Sequence, residues 1–116
     1  MIAIQIQVGK KILTGNLLEN ATAQALIANF PLTLPMLNLY AREMTYRFKN
    51  ALPASETKTT SYHTGDIAYW APRHSFVIFY KQTGEVISHL QLVGHINSDL
   101  SFMSKLGNTE MQFKLK

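Results

Sequence analysis

Apolar residues recur at every second position in short runs, and turn residues separate the runs. Ile2, Ile4, Ile6 and Val8 open the chain in this way, Met44, Tyr46 and Phe48 repeat the pattern, and Met111, Phe113 and Leu115 end it. A period of two places such residues on one face of a strand. Gly9-Lys10-Lys11, Pro72-Arg73-His74 and Lys81-Gln82-Thr83-Gly84 supply turns between runs. Many short strands divided by turn signals predict a barrel or sandwich. The first and last runs share one clean alternation, so pairing them would close a barrel and remove both exposed edges.

The intervening segments fill in the pattern. Ile12-Leu13-Thr14 reads as a short return strand that Gly15 ends. Asn20 is a good helix N-cap, since its side chain can accept from the first free backbone N–H groups. Ala21 to Phe30 then reads as a helix, stopped by Pro31. Leu32, Leu34 and Met36 alternate before the apolar phase moves to Leu37 and Leu39, which predicts a bulge or a bend. Asn50 to Thr64, rich in Thr and Ser, reads as one long loop. Ile67 to Ala71 is a strand, and the unbroken run Phe76 to Tyr80 suits a strand buried on both faces. Val86 to Ile96 follows, with Gly94 marking a bulge or a close backbone approach. Asn97 to Leu106 reads as a second short helix, capped by Asn97 or Ser98. The expectation is a mainly β chain of about eight strands with two short helices.

A length of 116 residues suits one domain spanning the whole chain, 1–116. Hydrophobic residues make up 47% and charged residues only 16%, a balance that supports a packed core and argues against disorder. The absence of cysteine excludes disulfides, thiolate nucleophiles and Cys-based zinc sites. The alternating start lacks the continuous apolar run of a signal peptide, and no segment reaches the ~20 apolar residues of a membrane span, so a soluble, cytoplasmic protein is expected. The net charge of +4 is spread over the chain without a basic block or an Arg-aromatic pattern, which gives no pointer to nucleic acid.

The order of elements, together with Phe30-Pro31-Leu32-Thr33-Leu34-Pro35-Met36, Thr64-Gly65-Asp66-Ile67-Ala68-Tyr69-Trp70, Phe76-Val77-Ile78-Phe79-Tyr80 and Leu92-Val93-Gly94-His95-Ile96, resembles the bacterial cyclophilin-like domains. That family is distantly similar to the cyclophilin prolyl isomerases. The resemblance covers roughly residues 2 to 115 and implies a closed eight-stranded barrel capped by two helices. In cyclophilins proper an arginine beside an apolar pocket contacts the substrate carbonyl and favours loss of amide conjugation, against a barrier of about 20 kcal/mol. The nearest match to that arginine strand is Thr45-Tyr46-Arg47-Phe48, so the resemblance makes Arg47 the first catalytic candidate and Arg42 the second. The histidine expected four residues before Gly94 is replaced by Leu90, and His89 has the opposite strand parity. The tryptophan expected beside that histidine and a Gln-Gly-Gly-Asp run after the arginine strand are also missing.

A kept barrel with an altered isomerase pocket points to a non-catalytic domain that binds a peptide or small ligand. Its candidate contacts are Tyr46, Phe48, Trp70, Arg73, His74 and Phe76 around Arg47. The rival expectation is a weak peptidyl-prolyl isomerase using Arg47 or Arg42, and a third is a partner-binding protein with no ligand. The plainer account of Arg47 is a solvated surface charge, that of Arg73 and His74 a solvated turn, and that of the aromatics a core. Of the four histidines, His89 and His95 share strand parity, but six residues separate them by about 20 Å, too far for one ion. No phosphate loop, dinucleotide fingerprint or Gly-x-Ser-x-Gly elbow occurs, so neither metal nor cofactor is expected. Asp66, behind Gly65 at a strand entry, is expected to satisfy turn backbone groups.

Overall fold

A computed structural model describes all residues from Met1 to Lys116. Nine strands run along the chain: β1 (Ile2–Val8), β2 (Lys11–Leu17), β3 (Leu32–Leu39), β4 (Glu43–Arg47), β5 (Lys58–Thr60), β6 (Asp66–Trp70), β7 (Ser75–Phe79), β8 (Ile87–Ile96) and β9 (Thr109–Leu115). One α-helix, α1 (Ala21–Ile27), joins β2 to β3. Eight strands form a closed antiparallel barrel in the order β2-β1-β9-β3-β4-β7-β6-β8, and β8 returns to β2. The short β5 pairs only with β8 and stays outside the closed ring.

The alternating first and last strands pair as expected, with Ile4 opposite Leu115 and Ile6 opposite Phe113. Ile4, Ile6, Met111 and Phe113 are fully buried in the barrel interior. The phase change in β3 marks a change of partner. Leu32 to Met36 pair with β9, and Leu37 to Leu39 pair with β4.

The barrel closes at a seam where two backbones nearly touch. Gly15 lies opposite Ile96 and Leu17 opposite Gly94. A Cβ on Gly15 would stand 2.6 Å from the His95 carbonyl oxygen. One on Gly94 would overlap the Asn16 carbonyl oxygen and stand 2.8 Å from Leu17 Cδ2. The expectation for Gly94 therefore holds in both forms, since the β6–β8 register also shifts beside it. Gly15, by contrast, does not end its strand: β2 continues to Leu17, and the glycine is there for the close approach.

Both expected helices are shorter than their sequence pattern. Asn20 caps α1 by accepting from the Ala23 N–H at 2.9 Å, and its amide also donates to the Leu92 carbonyl, tying the helix to β8. The helix ends at Ile27 rather than Phe30. The Asn29 and Phe30 N–H groups turn back to Leu26 and Ile27, the Phe30-Pro31 peptide is cis, and Phe30 stacks on Phe113 inside the barrel end. The second segment forms only a 3₁₀ turn, Ser101–Lys105. Its carbonyls at Met103 and its end at Leu106 are taken by the Asn38 side-chain amide, at 3.1 and 2.7 Å. Ser98 does not cap it, because its hydroxyl accepts from the Thr14 N–H instead.

The segment from Asn50 to Thr64 is pinned rather than free, and it contains β5. The Leu52 N–H donates to the Tyr69 hydroxyl and the Glu56 N–H to the Gln91 side chain, both at 2.9 Å. Strands β6 and β7 are buried on both faces, as the unbroken apolar run predicts. Tyr69, Phe76 and Ile78 face the main core, whereas Ala68, Val77 and Phe79 form a second, outer cluster with Tyr62 and Leu90. The Tyr62 ring stacks on Phe79 at 3.9 Å between centroids. No helix is long and apolar enough to cross a membrane.

Candidate functional site

Val77, Phe79 and Leu90 of the outer cluster floor a cleft of about 440 Å³, within the ~300–1,000 Å³ typical of small-ligand sites. Strand parity builds it. On β4 the odd positions Glu43, Thr45 and Arg47 point outward, while Met44 and Tyr46 belong to the core. On β7 the odd positions Ser75, Val77 and Phe79 do the same, and the register pairs them: Glu43 with Phe79, Thr45 with Val77, Arg47 with Ser75. Trp70 from β6 and Leu90 from β8 extend the apolar floor. The exposed side chains of Tyr40 and Val86 stand at its rim.

The two arginines of the cleft differ in their partners. Arg42 is committed: its Nε donates to Glu43 at 2.7 Å, its Nη2 to the same oxygen, and its Nη1 to Glu85 at 2.6 Å. Its guanidinium also lies over the rings of Tyr40, at 5.0 Å, and Phe79, at 5.8 Å. The other Glu43 oxygen accepts from the Thr45 hydroxyl. Burial raises the nearby Tyr80 phenol above its ordinary value of 10.0, and the Glu43 charge adds to the rise. Arg47 has none of this support. Its Nε is buried without a hydrogen-bond partner, and it makes no salt bridge. A buried donor left without an acceptor costs about 1–3 kcal/mol, more when charged.

Backbone strain gathers around the same cleft. The non-glycine residues with positive φ are Tyr40 (60°), Ala41 (49°), His74 (52°) and His89 (59°). Tyr40 lines the cleft, Ala41 precedes Arg42, His74 precedes Ser75, and His89 lies between the lining residues Ser88 and Leu90. Left-handed conformations of such residues are uncommon and persist where the surroundings over-determine them, which is a mark of binding sites. The bond from the Trp70 indole N–H to the Ser88 carbonyl, at 2.9 Å, locks the β8 side of this frame.

A family model described as the cyclophilin-like family matches residues 6–116. The chain belongs to the cyclophilin-like family. The solution structure of a hypothetical protein from Archaeoglobus fulgidus has the same fold as this cyclophilin-like chain, with a TM-score of 0.76 at 16% identity. The match covers 99% of this chain and 95% of that one. Among curated proteins, none matches.

The cyclophilin-like barrel brings together only part of the candidate set. Arg47, Arg42 and Trp70 line the cleft. Phe76 is buried on the other side of the sheet, and Tyr46 and Phe48 pack with it against the main core, their rings 5.0 Å apart and edge to face. They fix β4 and β7 from within. Arg73 and His74 end a 3₁₀ turn (Ala71–Arg73) beyond the cleft, where the His74 Nδ1 lies 3.2 Å from the Phe48 carbonyl. Sequence reasoning misses Tyr40, Glu85 and Val86, which come to the cleft only through the β3–β4 and β7–β8 connections. It also misses Glu43, whose adjacency to Arg42 suggests opposite sides of a strand. Arg42 precedes β4, and its long side chain folds back over Glu43.

A second cleft of about 310 Å³ lies beside β5 and shares Leu90 with the first. Asp66 opens into it. Its carboxylate accepts from the His63 N–H at 2.8 Å, the expected turn role, and also holds the His95 Nδ1 at 3.0 Å. No three His, Asp or Glu side chains converge as a metal site requires.

Proposed function

We propose that this cyclophilin-like barrel binds a peptide or small ligand in the outer cleft, with Arg47 as polar anchor and Trp70, Val77 and Phe79 as apolar floor. The observation that carries this reading is the contrast between the two arginines. Arg42 is paired with both Glu43 and Glu85, whereas the Arg47 Nε is buried with nothing to donate to. A guanidinium offers a rigid fork of donors suited to a carbonyl or carboxylate.

Trp70 is the only tryptophan, so its emission reports on the cleft directly. Titration with a panel of short peptides and small carboxylates is expected to shift Trp70 emission saturably for at least one member. Arg47→Ala should weaken that response at least tenfold, equivalent to about 1.4 kcal/mol. A flat response across the panel, or one that Arg47→Ala leaves intact, would sink the reading.

One observation also favours a prolyl isomerase, since an unpaired arginine beside an apolar floor is what that chemistry needs. Exchange spectroscopy by NMR on Xaa-Pro peptides separates the two. An isomerase should speed cis–trans exchange in wild type but not in Arg47→Ala. Unaccelerated exchange with shifted peptide signals leaves binding alone.

A further inference from the structure

The cleft carries opposite charges at its two ends. At one end Arg42 stands between two carboxylates, Glu43 and Glu85, so one guanidinium faces two acids and a net negative charge remains. At the other end Arg47 is a lone positive charge without a partner. No lysine lines the space between, which is floored by Val77, Phe79 and Leu90. Resting on the ligand-binding reading above, we infer that the cleft selects short peptides with both ends free, the α-carboxylate on Arg47 and the α-ammonium on Glu85.

Four observations define that occupant. The Glu43 oxygens are both filled, by Arg42 and Thr45. Glu85 is different. Its side chain is 54% exposed, with one oxygen on Arg42 and the other held by the Thr83 hydroxyl at 3.2 Å. A carboxylate accepts about four hydrogen bonds, so Glu85 keeps room for an ammonium. The spacing sets the length. Glu43, joined to Glu85 through Arg42, lies four residues from Arg47 on β4, about 13 Å along the strand, and an extended tripeptide of about 10 Å fits within that length. The apolar floor between the charged ends suits an aliphatic central side chain. An internal segment of a longer chain would bring a carbonyl to Arg47 but neither terminal charge, so the Arg47 charge and the net negative charge of the Glu43-Arg42-Glu85 group would stay unbalanced.

The test uses the full chain and the tripeptide Ala-Leu-Ala in three forms: both ends free, carboxyl-amidated, and amino-acetylated. Trp70 emission and backbone amide shifts are followed together, and the amide spectrum also confirms that each variant is folded. The free form is expected to bind, amidation to weaken it at least tenfold, and acetylation to weaken it severalfold. In Arg47→Gln the free and amidated forms should bind equally, and in Glu85→Gln the free and acetylated forms should do so, because each pair of changes removes the same contact. If the capped forms bind wild type as tightly as the free form, the charge selection is overturned while ligand binding in the cleft stands. If no form shifts the cleft amides at millimolar peptide, the inference falls. The broader panel then decides the binding reading on its own.

Discussion

Replacing Gly94 with alanine is expected to lower the unfolding free energy by about 3 kcal/mol, at the top of the range for overpacking a tight site. The new methyl group has no direction in which to yield. It would overlap the Asn16 carbonyl and crowd Leu17 Cδ2 and Cα, and the Asn16 and Leu17 backbones belong to the partner strand of the seam. Relief requires β2 to move from β8, and that contact is the one that closes the barrel. Urea unfolding of wild type and variant measures the loss. A difference within ±0.5 kcal/mol, the range of an ordinary surface substitution, would mean that the seam is slack and that Gly94 is not there for close approach.

Glu43→Ala should produce a loss of similar size, about 3 kcal/mol, by a different route. Glu43 is nearly fully buried, and the Arg42 side chain against it is only 12% exposed. Removing one member of a buried pair leaves the other charge uncompensated, which costs more than the pair itself contributes. The Thr45 hydroxyl loses its acceptor in the same step. Glu85 remains for Arg42 but is half in solvent, so its help is screened. The double replacement Arg42→Met with Glu43→Leu removes both charges and should recover most of the loss. Chemical denaturation of the two variants distinguishes the cases. A double variant no better than Glu43→Ala would attribute the damage to packing volume rather than to the stranded guanidinium.

The barrel was legible because its signals are local. The alternation of Ile2 to Val8 and of Met111 to Leu115 states one buried face for each strand, and closing the ring is the arrangement that leaves neither edge open. Helix lengths were less legible because tertiary partners set them. The Asn38 amide takes the carbonyls that a longer second helix would use, and it comes from a strand more than sixty residues earlier in the chain. The site was half legible for the same reason. The parity of Thr45 and Arg47 against Tyr46 and Phe48 already separates the two faces of β4. Which face carries the cleft depends on the loop that brings Glu85 and Val86 over it. Trp70 and Phe76 show the limit, as neighbours in the paired strands β6 and β7 whose side chains end on opposite sides of one sheet. Composition gives both the same apolar character, and only the register assigns one to the cleft and the other to the core.

That single-layer sheet also decides where this protein can diversify. Val77 and Phe79 alternate along one five-residue strand with Phe76 and Ile78, so reshaping the floor of the cleft also disturbs the packing beneath it. The rim is under no such constraint. Tyr40, Glu85 and Val86 are exposed and sit on connections between strands, where exchange of one side chain leaves the barrel intact. Among relatives, or in a laboratory selection, new ligand preferences would therefore accumulate at residues 40–41 and 81–86, and the floor would drift slowly.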